Sequence, residues 1–240
     1  MFDYAILGGD LRFSYVAEML ADKGYSVLTA NSLFEAIQSA QTIIGPIPLS
    51  RDGNTIPSIT SPNAPPKEDM TIENLKKALT SKHQFFAGCI SEELTKHLID
   101  NNVTVYDFMK NEELTIYNTI ATAEGAIAEA IMHQPTNIHG SSSLIIGFGR
   151  CAKTLAAKLK ALSANTTICA RRVDALAEAA AYGHNTLLLD DINEHIGTFE
   201  YIFNTVPAPV LTNNTLTLIT SYLLHTSPLQ SCQLHPMAYI

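Results

Sequence analysis

Ser142-Ser143-Leu144-Ile145-Ile146-Gly147-Phe148-Gly149-Arg150-Cys151-Ala152 is the stretch whose reading decides the fold. A short apolar, β-branched run meets G-x-G-x-x-A and passes at once into the helical run Lys153 to Leu162, after which Thr166-Thr167-Ile168-Cys169-Ala170 reads as a second strand. Strand, glycine turn, helix, strand is the order of a dinucleotide-binding unit. Gly147 permits the tight turn, Gly149 lets a pyrophosphate approach the backbone, and Ala152 lets the helix lie close on its strand. The unpaired N–H groups at the helix start, around Gly149, Arg150 and Cys151, suit phosphate, and the helix dipole adds to this. An ordinary βα turn with incidental glycines is the competing reading.

Arg171 and Arg172 follow the second strand, where an NAD-binding chain usually offers a carboxylate to the ribose hydroxyls. Two guanidinium groups suit a 2′-phosphate, so NADP is expected, with NAD the alternative; two solvated loop arginines would look the same in sequence. A later strand, Tyr201 to Val206, is stopped by Pro207 and Pro209. Ligands of doubly wound sheets lie beyond the carboxyl ends of strands, which puts Asn204, Thr205, Val206 and Pro207 in the expected cofactor set.

Working back to the N-terminus, residues 1–106 alternate strand and helix about five times. A first α/β domain with a parallel, flavodoxin-like sheet follows, and the predicted division is 1–135, including a linking helix, and 136–240 for the dinucleotide-binding domain. Ala5-Ile6-Leu7 leads into Gly8-Gly9-Asp10-Leu11-Arg12, where Asp10 is either a helix cap or a group at the ligand edge. Gly45 to Lys67 is rich in Pro, Ser and Asn and reads as a long irregular loop with Ser50, Arg51 and Asp52 as its polar candidates. Ser91 precedes the helix Glu92 to Ile99, as a cap or as a carboxylate holder.

Composition narrows the function classes. A net charge of −8 argues against a nucleic-acid partner bound through a basic face. The N-terminus has no basic leader, and no stretch is apolar enough to span a membrane. Cys89, Cys151, Cys169 and Cys232 are scattered without metal-ligand spacing, which implies a reducing, cytoplasmic compartment and no structural metal.

Ile6-Leu7-Gly8-Gly9-Asp10-Leu11-Arg12, the run Ile116 to Gly125, Ile138-His139-Gly140-Ser141, Ile146-Gly147-Phe148-Gly149-Arg150 and Ile202-Phe203-Asn204-Thr205-Val206-Pro207 together resemble the A-subunit family of dipicolinate synthase, over about residues 4 to 220. The resemblance implies a two-domain fold of the formate/glycerate-dehydrogenase type. It also implies NADP-linked oxidation of dihydrodipicolinate, a small cyclic dicarboxylate made from the lysine/diaminopimelate pathway, to dipicolinate for the spore core. A homo-oligomeric state, the mother cell of a sporulating bacterium and a flavoprotein-like B subunit come with it. Two departures are visible: Ala121 stands where relatives tend to have proline, and Ser221 to Ile240 differs from the family's C-terminal portion, so that a shortened Rossmann sheet with one exposed edge is expected.

For this chemistry Ser91, Thr119 and Thr122, each expected near a helix start, are the candidates to hold carboxylates. Glu124 is the candidate base, the alternative being a first-turn glutamate that favours the helix dipole. Another NADP-dependent hydroxy- or imino-acid dehydrogenase, and a truncated, non-catalytic cofactor-binding or partner-docking module, are the competing functions.

Overall fold

The computed structural model describes residues 1–58, 67–208, 210–219, 222–227 and 230–234, the last two as strand backbone. The chain splits into two compact units, Met1–Leu114 and Thr115–Ile240.

The first unit alternates β1 (Phe2–Leu7), α1 (Leu11–Asp22), β2 (Val27–Ala30), α2 (Leu33–Ser39), β3 (Ala40–Ile44), α3 (Ile72–Ala78), β4 (Gln84–Ala87), α4 (Glu92–Asp100) and β5 (Thr104–Asp107). All strand pairs are parallel, in the order β2-β1-β3-β4-β5. That is the flavodoxin-like order, with its topological switch between β1 and β3. Ala5, Ile6 and Leu7 are fully buried in succession, as a strand covered on both faces requires. Side-chain caps start the helices: Ser32, Thr71 and Ser91 each accept an N–H three residues on, and Asp10 accepts that of Arg12.

The Pro-rich segment after β3 is more than irregular loop. Leu49 and Ile56 lie in the core with Leu33, Ile43 and Phe85. Gly9 donates its N–H to the Pro57 carbonyl at 2.8 Å, and the Arg12 guanidinium donates to the Ile47 carbonyl at 2.9 Å. Gly8 has φ +63°, and a Cβ there would stand 2.1 Å from the Pro57 oxygen. The glycine pair is therefore required by close backbone approach as well as by dihedral angle.

The second unit contains α5 (Glu112–His133, which begins just before the division), β6 (Ser142–Ile146), α6 (Arg150–Ala161), β7 (Asn165–Ala170), α7 (Val173–Ala181), β8 (Asn185–Leu188), α8 (Ile192–His195), β9 (Tyr201–Asn204), α9 (Asn213–Thr217), β10 (Tyr222–Ser227) and β11 (Gln230–Leu234). Its sheet runs β11-β10-β9-β6-β7-β8. Numbered within the unit this is the dinucleotide-binding order 3-2-1-4-5-6, with the switch between β6 and β9.

Two features differ from the sequence reading. α5 groups with the second unit rather than the first, because Ala123, Ala126, Ile127 and Ala130 are buried with Ala152, Leu155 and Ala156 of α6 and Ile145 of β6. The division falls within the first turn of this helix, after Leu114, and not at residue 135. Beyond residue 220 the sheet is not left short: β10 pairs parallel with β9, Leu223 opposite Ile202, and β11 returns antiparallel to β10. The final strand needs no crossover helix, so this part escapes a search for alternating strand and helix.

Candidate functional site

β6 and β9 run side by side with Ile146 opposite Asn204, so the turn leaving one strand meets the segment leaving the other. Thr205 donates its N–H at 3.0 Å and its hydroxyl at 2.7 Å to the Ile146 carbonyl. Gly147 has φ +97°, and a Cβ there would come within 2.6 Å of the Thr205 hydroxyl and 2.9 Å of a Val206 methyl. The two motifs are thus interlocked at the switch point of the sheet. Buried Asn204 accepts the Val206 N–H at 3.0 Å, and Pro207 is exposed.

Gly149 is the N-cap of α6 and makes no side-chain cap bond; a Cβ placed on it would meet nothing within 4 Å. Open space therefore lies over the start of a long helix whose first N–H groups have no side-chain cap. Ala152 is fully buried against the sheet. The residues present fit a dinucleotide phosphate: a turn that excludes side chains, an open approach at the second glycine, and a helix dipole behind it. Burial pushes the thiol of half-buried Cys151 up, the charge of Arg150 opposing it, which disfavours the thiolate. Cys169 on β7 is pushed up to about 12, mainly by burial.

Arg171 and Arg172 follow β7 and are both exposed. Arg172 is forked onto Asp174, its Nε donating to Oδ1 at 2.9 Å, whereas Arg171 makes no hydrogen bond or ion pair among the described residues. Of the two, Arg171 has its donors available.

α5 and α6 lie side by side and run in the same direction. Arg150 donates to the Thr115 hydroxyl at 2.8 Å, the hydroxyls of Thr119 and Thr154 are 2.7 Å apart, and Lys158 donates to Glu124 at 2.8 Å. This parallel ladder corrects three sequence assignments. Thr119 and Thr122 are interior to α5, with hydroxyls bonded to the carbonyls of Ile116 and Asn118, so neither stands at a helix start with free N–H groups. Glu124 is likewise mid-helix and held by Lys158, which lies about 12 Å along α6 from its N-terminal end at the usual helical rise. A base there is remote from the edge where β6 and β9 end. Thr115, which sequence reading passed over, is instead the residue that anchors Arg150. Its signal is the buried small-residue stripe Thr115, Thr119, Ala123, Ala126 and Ala130.

Ser91 lies in the first unit, just beyond the carboxyl end of β4, where its hydroxyl caps α4 by accepting the Leu94 N–H at 3.2 Å. Asp10 both caps α1 and grips Arg12, a bidentate pair with Nε–Oδ1 2.9 Å and Nη2–Oδ2 2.7 Å. In the loop, Asp52 accepts the N–H groups of Asn54 and Thr55 and the hydroxyls of Ser50 and Thr55, which hold its carboxyl far below the usual range. Among the described residues no group of His, Cys, Asp and Glu side chains is arranged to hold a metal ion, and no helix is long and apolar enough to cross a membrane.

Comparison with known proteins bears on the whole chain. Residues 3–109 match the family described as the N-terminal domain of the dipicolinate synthase A-subunit. The dipicolinate synthase A-subunit of Bacillus subtilis is 25% identical over 232 residues, 90% of this chain and 76% of that protein. The crystal structure of the dipicolinate synthase A-subunit from Bacillus halodurans superposes with a TM-score of 0.74 at 24% identity, covering 93% of this chain and 82% of that one. A phosphoglycerate oxidoreductase from Vibrio cholerae shares the fold at a TM-score of 0.58 and 16% identity, over 96% of this chain and 78% of that one. The likeness thus begins in the flavodoxin-like unit, where the family match lies, and continues through the glycine turn and the strands around it, so that the chain is similar to the A subunits of dipicolinate synthase along most of its length.

Proposed function

We propose that this chain is an NADP-dependent dehydrogenase of the dipicolinate synthase type, oxidising dihydrodipicolinate to dipicolinate. The observation that carries the reading is the interlocked turn at the β6/β9 switch, with open space over Gly149 and an uncapped helix behind it. Similarity to the dipicolinate synthase A subunits and a fold shared with dehydrogenases support an NAD(P)-dependent dehydrogenase-like role, and the chemistry of that resemblance supplies the substrate.

In this reading Gly147 and Gly149 shape the phosphate site, and the first N–H groups of α6, at Arg150 and Cys151, bind the pyrophosphate. Arg171 takes the 2′-phosphate, with Arg172 available only by leaving Asp174. Asn204, Thr205, Val206 and Pro207 flank the nicotinamide, Thr205 being held in place by the Ile146 carbonyl. NADP, when bound, supplies the hydride acceptor. The protein's remaining work is to hold a flat dicarboxylate in position while aromatisation drives the reaction. Relatives that carry the letter of one subunit imply a second, and the family's flavoprotein-like B subunit fills that place.

Titration of the purified chain with NADPH and NADH by fluorescence, followed by an assay with dihydrodipicolinate and NADP, tests the reading. Tighter binding of NADPH and a new near-ultraviolet absorbance from the aromatic product are expected, alone or with the B subunit. Cofactor binding without that absorbance in either case would remove the dipicolinate assignment and leave a dinucleotide-binding module.

A further inference from the structure

Within the second unit the glycine turn lies against the end of β7. Ile146 is opposite Cys169, and the Gly147 N–H donates to the Cys169 carbonyl at 2.8 Å. β7 ends at Ala170, and Arg171, Arg172, Val173 and Asp174 follow at once. That is the edge at which a dinucleotide-binding chain meets the adenosine ribose of its cofactor.

Asp174, in the first turn of α7, holds Arg172 through both carboxylate oxygens, Nε donating to Oδ1 at 2.9 Å and Nη2 to Oδ2. Both side chains are exposed, and an exposed pair adds little to stability, so the fold has no need of it. Glu178, one turn further along α7, is held by Lys153 at 2.7 Å, which leaves Asp174 as the acid of this edge.

The two nicotinamide cofactors ask opposite things of such a pair. A ribose with free 2′- and 3′-hydroxyls donates to a carboxylate, whereas a 2′-phosphate accepts from guanidinium groups and is repelled by a carboxylate. Each carboxylate oxygen accepts more than one hydrogen bond, so Asp174 can keep Arg172 and still take a ribose hydroxyl. A 2′-phosphate has to draw Arg172 away, and then lies beside a bare Asp174. Arg171, which makes no hydrogen bond or ion pair among the described residues, meets the phosphate without that cost.

We propose that Asp174 is a specificity-determining residue of the cofactor site: it accepts the ribose hydroxyls of NADH and withholds Arg172 from the 2′-phosphate of NADPH, so that the chain takes both. The inference rests on the dinucleotide site proposed above and is independent of the substrate.

The test is fluorescence titration of the full chain with NADPH and NADH, with a thermal melt alongside, in the parent, Asp174→Asn, Asp174→Ser and Arg172→Gln. In the parent NADPH is expected to bind the tighter, by no more than about tenfold, because one of its two arginines is engaged. Both Asp174 variants should tighten NADPH severalfold and weaken NADH about tenfold, the loss of one charge-assisted contact. Arg172→Gln should move the preference the other way, toward NADH. Melting temperatures should stay put, whereas a role confined to the start of α7 would shift the melt and both cofactors alike. A preference unmoved in both Asp174 variants, or moved toward NADH, overturns the proposal while leaving the cofactor site standing. A parent chain that binds neither dinucleotide removes the cofactor site itself, and the role of Asp174 with it.

Discussion

Gly147 and Gly149 are two residues apart in one motif, yet the structure gives them different work. At Gly147 a side chain would meet the Thr205 hydroxyl at 2.6 Å and would have to adopt φ +97°. Gly147→Ala is therefore expected to destabilise the chain by about 1–3 kcal/mol, seen as a lowered urea midpoint. At Gly149 a Cβ meets no protein atom within 4 Å and φ is −81°, so alanine is tolerated by the fold at a cost of less than about 1 kcal/mol for the weaker cap. In the proposed function Gly149→Ala should nevertheless weaken NADPH by roughly tenfold or more, because the open space is where the pyrophosphate would approach. An unchanged NADPH titration in Gly149→Ala would show that this space has no part in cofactor binding.

Helices α5 and α6 show how much a sequence pattern leaves open. The Glu112–His133 helix was legible from its small and apolar residues, and so was the fingerprint helix. That they run parallel in a register pairing Thr115 with Arg150, Thr119 with Thr154 and Glu124 with Lys158 was not, because periodicity identifies a face and says nothing of its partner. Read alone, Glu124 beside Gly125 is an acid in search of a role. Read in the pair, it is one half of an exposed ion pair, 62% accessible, far from the ends of β6 and β9. Glu124→Gln is expected to leave turnover within about twofold and stability within about 1 kcal/mol, the range of surface pairs, in a steady-state assay and a chemical melt. A loss of turnover beyond a hundredfold with the melt intact would restore it to the mechanism.

Across the whole chain, the alternation of apolar runs and glycine stops was enough to foretell two α/β units and the glycine turn between β6 and α6. Less visible was whatever depends on contacts distant in sequence. Leu49 and Ile56 lie in a Pro-rich stretch without periodicity, and they are core residues because Gly9 and Arg12 hold that stretch down while their own N–H groups donate to the Gly88 and Met70 carbonyls. Ile192 and Ile196 sit on short helical turns between β8 and β9, too brief to show a repeat. With two compact units, NADPH should slow amide hydrogen exchange chiefly around residues 147–152 and 204–206 of the second; equal protection of both glycine motifs would contradict a cofactor site confined to that unit.

The pinning of that Pro-rich stretch also bears on how such a chain can change. Its backbone is fastened at Ile47 and at Pro57 to a motif only five residues long, Gly8 to Arg12, and the span between is shaped by its own Asp52 turn. Thr55 is further tied by an antiparallel bridge to Thr71, so change is confined to the exposed tip, where the side chains of Arg51 and Asn54 flank the Asp52 turn and can be replaced while the sheet beneath keeps its register.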